Sequence, residues 1–279
     1  MLRRLGTIVL GIATVGYGGS AAWLKINETA LVYHPAARAV AEPAPGYELH
    51  QRAVSYRSGD GTRLSGWIVP ARKDSSGYWL LICHGNFGNI GFGQRPDFYA
   101  RMRDVGLNLL AFDYRGFGAS EGSPQEAGLY EDAVASYHYL TDSLHVPADR
   151  IILFGHSLGS GVAIETATRV PAAALIVEGA YTSVPDRGQE LYPYFPVKLI
   201  ASQRFASLEK IGRVQMPKLF LHSPEDAVIP FAHGQALFAA ATEPKRFVSV
   251  KGGHEDAFSI DDAKYHDAIR ELIAALPSR

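Results

Sequence analysis

Residues 155–159 read Gly-His-Ser-Leu-Gly and follow directly on the apolar run Ile151-Ile152-Leu153-Phe154. A strand that ends in Gly-x-Ser-x-Gly and turns straight into a helix is a nucleophile elbow. The turn forces its central residue, Ser157, into a strained backbone with the hydroxyl exposed. A larger side chain at either flank would collide across so tight a turn, and Gly155 and Gly159 avoid that collision. Gly161 falls in the first turn of the helix that follows. The element sequence strand, sharp turn, helix is therefore imposed at this point.

The chain has 279 residues, 47% of them apolar, enough for one well-buried α/β domain. With 27 basic and 28 acidic residues it carries a net charge of −1 and no long charge run. That balance argues against a phosphate-tracking surface and against nucleic acid as a partner. The single cysteine, Cys83, rules out an intramolecular disulfide. It sits in the apolar run Tyr78–Cys83 and reads as a small buried hydrophobe rather than a nucleophile.

Ahead of this domain, Leu5–Leu24 is an uncharged run of 20 residues that follows Arg3-Arg4. As a helix it would span roughly 30 Å, the thickness of a bilayer core. A retained single-pass anchor and a cleaved signal segment both fit, and the length of the run favours the anchor. The arginines before it predict a cytoplasmic amino end and a catalytic domain on the non-cytoplasmic side. Residues 1–32 are thus expected to be an anchor, with 33–50 as a connector and 51–279 as the enzyme domain.

Within that domain, Val54–Arg57 and Leu64–Val69 flank the turn signal Ser58-Gly59-Asp60-Gly61 and predict a hairpin. Short apolar runs at Tyr78–Cys83 and Leu107–Phe112 suit strands buried on both faces. Tyr130–Leu144 has helical spacing, Ile151–Phe154 is the elbow strand, and Leu158–Val170 is its helix. Ala173–Val177, Lys218–Leu221 and Phe247–Val250 are further strands, and Asp261–Leu276 is a closing amphipathic helix. The alternation predicts an α/β class, with a doubly wound, mostly parallel sheet. Residues 181–216 interrupt the rhythm with Tyr181, Tyr192, Pro193, Tyr194, Phe195, Pro196 and Phe205, and read either as a short cap over an apolar pocket or as a surface excursion.

A serine hydroxyl needs a base, and the base needs an orienting carboxylate. In elbow-bearing folds the chain order is serine, acid, histidine. Asp226 follows the late strand Lys218–Leu221, and His254 follows the last strand through Gly252-Gly253. Ser157, Asp226 and His254 therefore arrive in the required order at one sheet edge, where ligands bind in open α/β sheets. Glu178, at the end of an earlier strand, is a rival acid. For the oxyanion, one donor is the backbone N–H of Leu158. The loop His84-Gly85-Asn86 supplies the second as the N–H of Asn86. His84 and His156 read as turn residues and His222 as a packed residue. No metal-ligand or nucleotide-binding spacing occurs, so neither metal nor cofactor is implied.

The chain resembles the membrane-anchored α/β-hydrolase-domain serine hydrolases, a branch that includes protein depalmitoylases and acylglycerol or lysophospholipid lipases. The resemblance rests on His84-Gly85-Asn86-x-Gly88-Asn89, on Asp113–Gly122, on Gly155–Gly159, and on Asp226-x-Val228-x-Pro230 with Gly253-His254. The amino-terminal hydrophobic stretch leading into Leu31-Val32-Tyr33-His34-Pro35 also matches. The resemblance implies an α/β-hydrolase fold, a Ser157/His254/Asp226 triad, an oxyanion hole at Asn86 and Leu158, and a structural role for Asp113–Gly122. The expected activity is hydrolysis of an ester or thioester with an apolar acyl part. Other readings are an amidase or peptidase of the same fold, or a non-catalytic binding protein on the same scaffold. The expected partners are an acyl substrate and, through the amino-terminal helix, a membrane.

Overall fold

The computed structural model describes residues 2–36, 49–72 and 76–277. The chain opens with helices α1 (Leu2–Ile26) and α2 (Glu28–Val32) and a two-residue strand β1 (His34–Pro35). The hairpin β2 (Arg52–Arg57) and β3 (Arg63–Val69) follows, then β4 (Trp79–Cys83), β5 (Phe87–Gly88), α3 (Arg95–Asp104) and β6 (Asn108–Asp113). Next come α4 (Glu126–His138), the elbow strand β7 (Ile151–His156), α5 (Leu158–Ala167) and β8 (Ala174–Glu178). Three short helices, α6 (Val184–Leu191), α7 (Val197–Ile200) and α8 (Ser207–Lys210), occupy the long connection to β9 (Lys218–His222). The chain closes with α9 (Phe231–Ala240), β10 (Lys245–Ser249), α10 (Ala257–Ile260) and α11 (Asp262–Ala275).

Eight strands form one sheet in the order β10-β9-β8-β7-β4-β6-β3-β2. Every pairing from β10 to β6 is parallel, and β3 turns antiparallel to both β6 and β2. The apolar runs seen in sequence are these central strands, and successive side chains feed opposite faces. Leu81, Leu110 and Leu153 pack on one face with Val162 and Leu129. Leu80, Leu109 and Ile152 pack on the other with Tyr99, Met102 and Ile269. Both faces are thus covered by helices, as a parallel sheet requires. The α/β-hydrolase fold expected from the sequence is the fold observed.

The anchor expected at Leu5–Leu24 is corrected here. Among the described residues no helix is long and apolar enough to cross a membrane. Five glycines and the hydroxyl residues Thr7, Thr14, Tyr17 and Ser20 dilute the run. The single-pass location, with the catalytic domain beyond the membrane, therefore falls. Among the described side chains of α1, Tyr17 contacts the rest of the protein. Tyr17 stacks on Phe195 with ring centroids 5.1 Å apart, and its hydroxyl donates to the Tyr194 carbonyl at 2.8 Å. Most of the connector expected at 33–50 lies outside the described residues, at 37–48.

Candidate active site

Ser157 sits between β7 and α5 with φ 52° and ψ −123°. A non-glycine residue at positive φ is strained, at about 1–3 kcal/mol, and persists only where its surroundings fix it. The fixing contacts are visible. The Ser157 N–H donates to the Glu178 carbonyl at 3.0 Å, extending the β7–β8 ladder past its end. The backbone N–H and hydroxyl of Ser160 donate to the Ser157 carbonyl at 2.9 and 2.7 Å. A Cβ on Gly155 would lie 2.3 Å from the Gly159 carbonyl oxygen, and one on Gly159 would lie 1.9 Å from that of Cys83. Both flanking glycines are therefore demanded by backbone contacts.

Asp226 and His254 follow β9 and β10, which pair in parallel and so deliver both residues at the same edge as Ser157. His254 Nδ1 lies 2.7 Å from Asp226 Oδ2, and both side chains are nearly closed to solvent. The second carboxylate oxygen accepts the backbone N–H groups of Val228 and Ile229, each at 2.8 Å. Burial alone would raise the Asp226 carboxyl; hydrogen bonds from His222 and His254 and from the Ile229 amide outweigh it and hold Asp226 well below the usual carboxylate range. An ionised Asp226 can only accept, so Nδ1 of His254 carries the proton and Nε2 of the neutral ring keeps its lone pair. Gly179, one residue beyond the partner of Ser157, bridges the two loops: a Cβ there would meet the His254 ring at 3.0 Å and Asp226 Oδ2 at 3.4 Å. Among the described residues no hydrogen bond joins the Ser157 hydroxyl to the His254 ring. Such contacts are often long before substrate binds and tighten in the complex.

The rival acid, Glu178, is placed otherwise. Its carboxyl accepts the Tyr265 hydroxyl at 3.0 Å, and burial pushes it up to about 7. The His254 ring faces Asp226 instead.

Leu158 opens α5, so its N–H has no carbonyl one turn back to donate to. Asn86 is held on three sides. Its side chain donates to the Val32 carbonyl at 2.9 Å, its own carbonyl accepts the His34 N–H at 2.9 Å, and β1 pairs with β5 immediately after it. Asn86, Ser157 and Leu158 all line one cavity of about 470 Å³. That volume falls within the ~300–1,000 Å³ of small-molecule sites. The remaining lining is mostly apolar and comes from α6, α7, the Val228-Ile229 loop and, from the amino terminus, Leu24, Lys25, Glu28, Leu31 and Val32.

Several residues escaped the sequence reading. His156, taken as a turn residue, bonds the His254 backbone carbonyl at 2.8 Å. His222, taken as packing, lies 3.5 Å from Asp226 Oδ2 while also bonding the Ile229 carbonyl at 3.0 Å. Cavity contacts from the amino-terminal helices carried no sequence signal beyond the Leu31–Pro35 match. His156, His254 and Glu255 bring ligand-type atoms within 4.8 Å of one another. His254 Nδ1 and His156 Nε2 are already engaged, by Asp226 and by the His254 carbonyl. Asp113, in the segment assigned a structural role, accepts the Ile90 N–H at 2.8 Å, and Arg115 is paired with Asp132 at 2.7 Å.

A parallel sheet with a strained serine at the turn after its central strand, and an acid and a histidine at later strand ends, defines an α/β-hydrolase. A family described as serine aminopeptidase, S33 (Hydrolase_4) matches residues 77–208. The chain is 35% identical over 267 residues to the uncharacterized protein Rv2307c of Mycobacterium tuberculosis, covering 95% of this chain and 94% of that one. It is 32% identical over 202 residues to the human alpha/beta hydrolase domain-containing protein 17B, covering 72% and 68%. The Pyrococcus furiosus esterase Pf2001 superposes with a TM-score of 0.71 at 18% identity, over 87% of this chain and 97% of that one, a likeness of fold. The chain belongs to the α/β-hydrolase family.

Proposed function

We propose that this chain cleaves a carboxylic ester or thioester with an apolar acyl part, using Ser157 as nucleophile. Ser157 Oγ attacks the carbonyl carbon while His254 Nε2 takes the hydroxyl proton. Asp226 accepts the Nδ1–H, which fixes the imidazole tautomer and stabilises the imidazolium as it forms. The backbone N–H groups of Asn86 and Leu158 hold the oxyanion. The imidazolium then passes its proton to the departing alkoxide or thiolate, leaving an acyl-enzyme at Ser157. Water, deprotonated by His254, releases the acid and restores the serine. Residues 181–216 act as the cap of a hydrolase domain spanning 51–279.

The observation that supports this most is the Asp226–His254 pair at 2.7 Å, set at the sheet edge where Ser157 is held at positive φ. The mostly apolar lining of the adjoining cavity favours an acyl group over a peptide. A fluorophosphonate probe should label the wild-type chain at Ser157 and miss Ser157→Ala. Equal labelling of both removes Ser157 as nucleophile.

A further inference from the structure

We propose that the amino-terminal helices α1 and α2 form the wall that sets which acyl-chain lengths the cavity accepts; this rests on the ester-hydrolase reading above. Ser157 and Leu158 line one side of the cavity, and Leu24, Leu31 and Val32 enter it from α1 and α2. An acyl group bonded to Ser157 has to run between these side chains and those of α6 and α7, where Val184 and Ile200 stand.

The wall is pinned at three levels. Tyr17 stacks on Phe195 in the segment between α6 and α7. The Glu28 carboxylate accepts the Ser202 N–H at 2.6 Å, the Ser202 hydroxyl at 2.5 Å, the Gln203 N–H at 2.7 Å and Lys25 Nζ at 3.0 Å. The Tyr33 hydroxyl donates to Gln203 Oε1 at 2.7 Å, and that oxygen also accepts the Glu126 N–H at 2.8 Å. On the next turn of chain, His34 bonds Asn86, so the wall is continuous with the loop proposed to hold the oxyanion. A surface held this firmly discriminates by shape, because it does not yield to an added methylene.

Each methylene buried along such a wall is worth about fourfold in kcat/KM, until the chain meets a residue that cannot move. A series of p-nitrophenyl esters from acetate to palmitate reads this directly, with the full chain. In Leu24→Trp and Leu31→Trp the ratio of kcat/KM for the best long ester to that for acetate should fall about tenfold or more, the scale of steric rejection in a hydrophobic pocket. Leu24→Ala and Leu31→Ala should move the optimum to longer chains. Val15→Trp, on an exposed part of the same helix, should leave the ratio as it is. A profile unmoved in the tryptophan variants, with turnover still dependent on Ser157, overturns the wall alone. If those variants do not fold, as circular dichroism would show, an unmoved profile in the alanine variants overturns it equally. A wild-type chain that turns over no ester in a Ser157-dependent way overturns the hydrolase reading instead.

Discussion

His156 Nε2 lies 2.8 Å from the backbone carbonyl oxygen of His254. A carbonyl only accepts, so His156 is the donor and its Nε2 carries the proton. The residue just before Ser157 thereby holds the loop that carries His254. His156→Phe keeps a ring of similar size and deletes the bond. We expect kcat on a short p-nitrophenyl ester to fall about tenfold with KM little changed, since a small misplacement of a base is costly. His156→Gln retains a donor and should recover part of the loss. Equal kcat in all three chains would show that the bond has no part in positioning.

The carboxylate of Asp226 is committed through both oxygens, to His254 on one side and to two backbone amides on the other. Asp226→Asn keeps the shape and removes the charge, so the amide can present an N–H to Nδ1 and stabilise the wrong tautomer. In a serine protease the same change costs about 10⁴ in kcat. A loss of that order is expected here at neutral pH, measured by steady-state turnover. Near-normal activity would move the orienting role to another acid, with Glu178 first to be tested.

Much of the fold around this candidate site was legible because local signals write it. A continuous apolar run followed by Gly-x-Ser-x-Gly fixes strand, turn and helix together, and Asp226 and His254 each follow a run of the same kind. Helix α3 had no such signal: Arg95–Asp104 carries five charges, and its large buried apolar side chains are Phe98, Tyr99 and Met102. The roles of His156 and His222 were hidden for a different reason. His156 depends on a backbone carbonyl brought near by tertiary packing, and His222 on a bend of the loop just after its own strand, which folds Asp226 and Ile229 back onto the ring. The amino-terminal run was misread because uncharged length suits a membrane and a docked helix alike. Tyr17 and Glu28, each with a partner more than 170 residues away, separate the two only after folding.

Glu178 is buried beside a small cavity of about 40 Å³ that His156, Arg95 and Glu255 also line. Burial pushes its carboxyl up to about 7 from an ordinary 4.5, against the pull of His156 and of the Tyr265 hydroxyl. A raised carboxyl means that the folded state holds the proton more tightly than the unfolded chain. Its contribution to stability is therefore full below pH 4.5 and is lost as pH rises through about 7. The shift corresponds to about 3 kcal/mol. Glu178→Gln keeps a group that can accept the Tyr265 hydroxyl and removes the titration. Its stability relative to wild type, from urea unfolding, should improve by a few kcal/mol between pH 5 and pH 9, by roughly that shift. A difference that does not change with pH would show that Glu178 does not titrate in this range.

Gly159 presses against the backbone at the end of β4: a Cβ there would lie 1.9 Å from the Cys83 carbonyl oxygen and 2.7 Å from that of His84. Neither neighbour can rotate away, because Cys83 is buried and paired in the sheet and His84 begins the loop leading to Asn86. Gly159→Ala must therefore separate α5 from β4 or tilt the elbow. Overpacking of this kind costs about 1–3 kcal/mol where side chains can adjust, and the upper end or beyond is expected against rigid backbone. Because the same displacement moves the Leu158 amide away from Asn86, activity should fall further than the lost stability explains. Gly253→Ala is the matched control, since its Cβ would meet nothing closer than 3.4 Å. Urea midpoints and turnover of the two variants side by side check the claim. A Gly159→Ala chain as stable and active as Gly253→Ala would mean that the elbow is not held against β4 as described.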